Sequence, residues 1–195
     1  MLNADYAGTG PTFNNVYTDR TTNANWFNQV YPRNTYKTAM KQALRKGNAT
    51  VLNIYTVGFN NATYGGLLVY ATFPFRYAGT PMDDGVVIRY STLPGGSAAP
   101  FNLGRTLTHE VGHWVGMYHT FQGGCSGSGD LVSDTPPQGN FTAGCPIGKD
   151  TCPGGGLDPI HNYMDYSNDA CMTEFTSGQI ARIKAQMSTY RGVSA

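Results

Sequence analysis

The 195-residue chain is long enough to bury one sizeable core, or a core divided by a cleft into two lobes. Its formal net charge is +1 and only 13% of its residues are charged, so no electrostatic footprint for nucleic acid or an anionic membrane stands out. No stretch approaches the roughly 20 apolar residues that span a bilayer. The opening "MLNADYAGTG" has neither the basic nor the apolar region of a signal peptide, so a soluble, processed or truncated chain is expected.

In chain order, the first clear element is "NTYKTAMKQALRKGN". It places Tyr36, Met40, Ala43 and Leu44 on one helical face, with Asn34 or Thr35 as N-cap and Gly47 just past the end. Three runs rich in β-branched and aromatic residues follow: "TVLNIYTV" (50–57), "LLVYATF" (67–73) and "GVVIRYS" (85–91). Separated by Gly, Pro and Asn turns, they predict a mixed sheet backed by helices, an α+β arrangement. A second helix is expected from Leu103 to Met117, capped by Asn102. From about Phe121 to Phe175, glycine and proline preclude regular structure over any length, so order there must come from crosslinks or ions. The closing "TSGQIARIKAQMSTYRG" predicts a helix with a Thr176–Gln179 capping box and an apolar stripe of Ile180, Ile183 and Met187 before Gly192.

The four cysteines, Cys125, Cys145, Cys152 and Cys171, all fall in the irregular stretch. No C-x-x-C occurs among them, and two disulfides are expected, each stabilising by roughly 3 kcal/mol. Spacing alone leaves three pairings open. Sequons at Asn48-Ala49-Thr50, Asn61-Ala62-Thr63 and Asn140-Phe141-Thr142 are compatible with secretion.

The stretch "HEVGHWVGMYH" (109–119) holds three of the four histidines. Residues four apart on a helix are offset by about 40° around the axis and about 6 Å along it, so His109 and His113 project from one face. A catalytic zinc takes three protein ligands at about 2.0 to 2.1 Å to imidazole nitrogen and keeps a position for water. His119 is the candidate third ligand, yet a continuing helix would carry it about 9 Å beyond His113. The chain must therefore turn, and Gly116 is the residue that permits it. Glu110 adjoins the site without being needed as a ligand, which suits a general base acting on water beside zinc. Zinc lowers the pKa of bound water to around 7 and polarises a carbonyl, so the pattern points to amide hydrolysis near neutral pH. His161 stands outside the pattern and reads as a solvated loop histidine.

The run from His109 to His119 resembles the extended zinc motif of metzincin metallopeptidases, and "HNYMDYS" resembles their Met-turn. The resemblance implies that Met164 forms a hydrophobic base under the histidines and that Tyr166 swings to hydrogen-bond the developing oxyanion. "HEVGHWVGMYHTF", "DLVSDTPPQ", "NYMDYS" and "FTSGQIARI" are most similar to the pappalysin family, in particular its secreted fungal and microbial members. The likeness covers nearly the whole chain. It implies a metzincin-type zincin in which an upper subdomain (1–116) and a lower, disulfide-linked subdomain (117–195) make one catalytic domain. It also implies the pairings Cys125–Cys152 and Cys145–Cys171.

By the same resemblance "LLVYATFP" is the edge strand that adds an extended substrate, with backbone bonds from Tyr70 and Ala71. Val69 stands where relatives often have glycine. Asp169 matches the acidic floor of the primed-side pocket in relatives that cleave before Arg or Lys. Asp130 and Thr135 match a structural calcium site, and oxygen ligands suit that ion. Relatives carry a further strand, a pro-segment and a signal before the segment matching "LNADYAGTG", so the sheet is expected to lack a strand. The expectation is a secreted, monomeric zinc endopeptidase acting on extended protein or peptide substrates. The rival is a non-catalytic binding protein that retains zinc for structure.

Overall fold

A computed structural model describes residues 1–61 and 66–194. Its helices are α1 (Leu2–Asp5), α2 (Ala24–Gln29), α3 (Thr35–Leu44), α4 (Arg105–Trp114) and α5 (Ser177–Arg191), and its strands are β1 (Ile54–Val57), β2 (Val69–Ala71) and β3 (Val86–Arg89). No helix among the described residues is long and apolar enough to cross a membrane. Of the three sequons, Ala62 and Thr63 lie outside the described residues.

The sheet has the order β1-β3-β2, with β1 parallel and β2 antiparallel to β3. The central strand carries Val86, Val87 and Ile88, all fully buried, because both of its faces are covered. Successive side chains of a strand point to opposite faces. Val86 and Ile88 accordingly join the core under α4 with Val111, Trp114, Met164 and Ile183, while Val87 joins Met40, Tyr55 and Val57 on the α3 side. Each strand is shorter than its apolar run. Before β1, Asn53 is diverted to Lys46, accepting from its backbone N–H and donating to its carbonyl at 2.9 Å each way.

The helix over 35–44 forms and Asn34 caps it, its side chain accepting from Lys37 N. The buried face differs from the expected one. Met40 and Lys41 are buried, whereas Tyr36 is 39% exposed. Lys41 points its ammonium to the Asp83 carbonyl and lies 5.8 Å from the ring centroids of Tyr55 and Tyr70. A lysine stem can occupy an apolar layer when its head finds such partners. Burial still pushes its pKa down, against the opposing pull of Asp83.

Asn102 does not cap α4; its amide donates to Gly96 O at 2.8 Å. The cap position belongs to Gly104 at φ 92°, and the free N–H groups of Leu103 and Arg105 are taken by the Asp169 carboxylate at 2.8 and 3.2 Å. A carboxylate there satisfies orphan donors and complements the helix dipole.

Among the described residues from 121 to 175, regular structure is limited to one short 3-10 turn at Asp169–Cys171 and one bridge between Asn162 and Glu174. Disulfides Cys125–Cys152 and Cys145–Cys171 close this stretch. The Thr176–Gln179 capping box and Gly192 at φ 65° bound α5 as expected. Its buried face is less apolar than the stripe suggested. Ile183 and Met187 enter the core, Ile180 is half-buried, and Gln179 and Arg191 are fully buried beside them.

Candidate active site

The last two turns of α4 carry His109, Glu110 and His113, all buried. The helix stops at Trp114, and Gly116 adopts φ 105°, a conformation that costs a side-chain-bearing residue dearly. The turn is closed by Met117 N donating to Gly112 O at 2.8 Å and Gly116 N donating to His113 O at 3.0 Å. A Cβ at position 116 would also lie 2.5 Å from Gln186 Cγ on α5. The bend brings His119 back, so that one ligand atom from each of the three histidines lies within 4.8 Å of the others. His113 Nε2 and His119 Nε2 are 3.0 Å apart.

Two of the rings are held by backbone carbonyls, which only accept, so their Nδ1 atoms carry the proton. His109 Nδ1 donates to Tyr163 O at 2.7 Å and His113 Nδ1 to Met117 O at 2.8 Å. Their Nε2 lone pairs are thereby left free, and that of His109 is buried with no hydrogen-bond partner among the described residues. Burial pushes His109 well below the usual imidazole range, His113 down to about 4 and His119 down to about 3, with the neighbouring histidines lowering His109 and His119 further. Neutral imidazoles with converging lone pairs are the form that ligates a metal. Glu110, 6% exposed, has its carboxyl pushed up to about 8 by burial.

Met164, fully buried, packs against the underside of α4. Its backbone N–H donates to Asn162 Oδ1 at 2.9 Å, and Asn162 pairs in turn with Gln179 of the α5 capping box at 2.7 and 3.0 Å. Gly112 makes the close approach of Met164 feasible, because a Cβ there would lie 2.3 Å from Met164 Sδ. Gly112→Ala is therefore expected to destabilise, although alanine gains about 1 kcal/mol of helix propensity. Overpacking a core costs about 1–3 kcal/mol, and the thioether that would have to give way is fully buried. Urea denaturation of a double-mutant cycle with Met164→Ala checks this. The cost of Gly112→Ala should shrink or reverse when the sulfur is removed.

Tyr166, 43% exposed, places its phenol oxygen 3.1 Å from His119 Nε2. Burial, Glu110 and Asp165 push that phenol up to about 12, which keeps it a proton donor. Beside the histidines lies a cavity of about 510 Å³ lined by His109, Glu110, Phe141, Tyr166, Asp169 and the Gly66–Val69 approach to β2. β2 is an edge of the sheet. Tyr70 turns its ring away from the cleft, toward the α3-side core. Asp169 is 2% exposed, and its carboxylate serves α4 while lining the cavity. Burial raises its pKa, against the lowering hydrogen bonds from Leu103, Arg105 and Gly104.

Away from the cleft, Asp130 Oδ2 and Thr135 Oγ1 are buried without hydrogen-bond partners among the described residues, while Asp130 Oδ1 accepts from Val132 N at 3.0 Å. His161 is exposed and donates Nδ1–H to Cys171 O. Residues that pattern reading does not single out also serve the site. Asp5 accepts from Arg105 Nη1 and Thr108 Oγ1, and Tyr6 OH donates to Thr108 O at 2.9 Å, so the N-terminal segment braces α4. Their signal is a buried acid and a buried phenol, visible only once packing is known.

The family model described as Peptidase_M43, Pregnancy-associated plasma protein-A, matches residues 75–188. The chain is 55% identical to an extracellular metalloprotease of Verticillium alfalfae, an alignment covering 98% of this chain and 66% of that protein. It is 53% identical to an extracellular metalloprotease of Pyricularia oryzae, over 98% of this chain and 65% of the relative. Among solved structures it resembles mature mirolysin of Tannerella forsythia in complex with a cleaved peptide, with TM-score 0.62 and 41% identity over 71% of this chain and 52% of that one. The chain thus spans just under two thirds of the length of these fungal relatives. With more than half of its residues inside the matched region and the zinc-type histidine cluster at its centre, the chain belongs to the pregnancy-associated plasma protein-A family of peptidases, the pappalysins.

Proposed function

We propose that the chain is the catalytic domain of a secreted, monomeric zinc endopeptidase that hydrolyses extended protein or peptide substrates. The observation that carries this reading is the buried, unpartnered Nε2 of His109, converging with His113 and His119 beside Glu110 on an open cavity. An orphan lone pair of this kind is costly to bury unless a ligand satisfies it. The names of the fungal relatives support secretion and metalloprotease activity.

His109, His113 and His119 would hold the zinc. When bound, zinc supplies a solvent nucleophile at neutral pH and polarises the scissile carbonyl. Glu110 takes the proton from the attacking water and returns it to the leaving amine. The Tyr166 phenol donates a hydrogen bond to the developing oxyanion, in the manner of an oxyanion hole. Met164 supports the histidines from below. The backbone of Tyr70 and Ala71 on edge strand β2 aligns the substrate by strand addition, in a cleft between subdomains 1–116 and 117–195. Asp169, lining the cavity, selects Arg or Lys on the primed side. Asp130 and Thr135 would hold a structural calcium, a role supported by their buried oxygens without partners among the described residues.

Digestion of a proteome-derived peptide mixture by the zinc-loaded chain tests this reading. Cleavage before Arg and Lys is expected, abolished by a chelator and restored by zinc. Zinc uptake without chelator-sensitive cleavage would make the chain a binding protein that uses the metal for structure. Cleavage without a basic preference would leave the peptidase standing and remove the role of Asp169.

A further inference from the structure

The three imidazoles are not oriented alike. His109 and His113 each donate Nδ1–H to a backbone carbonyl. Histidines that ligate metals almost always fix their second ring nitrogen in this way. His119 departs from that rule: among the described residues none hydrogen-bonds its Nδ1. Its Nε2 faces the Tyr166 phenol at 3.1 Å, and against the face of its ring lies that of Phe121, two residues on, stacked with centroids 4.7 Å apart and planes within 9°. Phe121 is held edge-on by Tyr166 at 5.0 Å and by Phe141 at 6.1 Å. Phe121 is therefore held by aromatic neighbours other than the histidine, one of which, Tyr166, flanks both stacked rings.

We infer that Phe121 is the positioning residue of the third metal-binding histidine, its stacked face setting the tilt of His119 in place of the hydrogen bond that orients the other two. This rests on the metal reading above. After the bend at Gly116 the chain carrying His119 is outside any helix or strand, so nothing in the backbone ladder restricts the ring. A parallel aromatic neighbour restricts rotation about the Cβ–Cγ bond while leaving both ring nitrogens unencumbered. An aliphatic side chain of similar bulk excludes water from the same spot but offers no plane.

The informative comparison is therefore Phe121→Leu against Phe121→Tyr. Zinc affinity is measured by competition with a chromophoric chelator, and site geometry by the visible absorption of the cobalt(II)-substituted protein. Phe121→Leu should weaken zinc binding about tenfold and alter the cobalt spectrum, while Phe121→Tyr stays close to wild type in both. Thermal melts of the metal-free proteins should coincide. Equal zinc affinity in wild type and Phe121→Leu overturns the inference, as does equal weakening by the leucine and tyrosine variants. Should Phe121→Leu fail to fold, Phe121→Met replaces it as the non-planar variant, and failure of both makes Phe121 a packing residue and ends the proposal. Wild-type protein that takes up no zinc removes the metal reading and this one together. Uptake that ignores the leucine substitution removes only the positioning role.

Discussion

Replacing Glu110 by glutamine is expected to lower kcat for peptide hydrolysis by the zinc-loaded chain about 10³-fold, with zinc affinity unchanged. Glutamine fills the same volume and keeps a carbonyl oxygen in the cavity wall, but it cannot take a proton. The residue follows a ligand on α4 and so points about 100° around the axis from it, into the cavity it shares with Tyr166. Among the described residues none hydrogen-bonds its carboxylate, so no structural contact is lost with the charge. The metal-free protein supplies an independent reading. Burial raises the folded-state pKa of Glu110 from its ordinary 4.5 to about 8, so over that window the folded chain holds a proton that the unfolded chain has released. Glu110 alone therefore costs the metal-free protein stability as pH rises from about 4.5 to about 8, while the three histidines, lowered from their ordinary 6.5, contribute the opposite sign below that value. The stability difference between wild type and Glu110→Gln, rather than the wild-type slope, should fall across the window. Urea titrations across the window read that difference. Retention of kcat within tenfold would instead make Glu110 a wall of the cavity and transfer proton acceptance to another group.

The bend at Gly116 was legible because it follows from arithmetic: three imidazoles cannot share one ion on a straight helix, and one residue between them tolerates positive φ. The capping box of α5 was legible for a similar reason, since Thr176 and Gln179 act within one turn. What escaped is what depends on distant partners. Asn102 is the natural local cap for α4, yet Asp169, 66 residues from Leu103, takes the free N–H groups because the disulfide-linked stretch delivers its carboxylate there. The carbonyls of Tyr163 and Met117 that orient two histidines leave no trace in sequence, since every residue has one. The burial of Lys41 is not legible either, because helical periodicity ranks residues by side-chain polarity and carries no information on Asp83 across the layer. Nothing in the sequence singles out Gly112 as the notch for Met164.

Arg191→Met is expected to cost about 3–5 kcal/mol, because it breaks a buried ion pair from one side. Arg191 is 2% exposed and Asp84 1%, and the guanidinium meets the carboxylate with two bonds of 3.0 Å. The same guanidinium lies 3.5 Å from the centre of the Trp114 ring and donates to Trp114 O at 3.1 and 3.2 Å. Truncation leaves the Asp84 carboxylate buried with, among the described residues, Trp114 Nε1 and Thr72 Oγ1 to satisfy it, at 3.1 and 3.0 Å. For a domain of this length the loss amounts to a fall in Tm on the order of 10 °C, readable by thermal melts of the zinc-loaded protein. Removing both charges, as in Arg191→Met with Asp84→Leu, should recover much of the loss, because the largest part of it is the stranded charge rather than the missing attraction. The pair joins residues 107 apart, one just before the central strand and one at the end of α5, and both grip the last residue of the helix that carries His109 and His113. Its loss should therefore loosen the site as well as the fold: zinc should bind Arg191→Met more weakly at temperatures where the variant is still folded. A single variant that melts within a degree of wild type would mean that water reaches Asp84 when the guanidinium leaves, and that the ends of α4 and α5 are held by their apolar contacts alone.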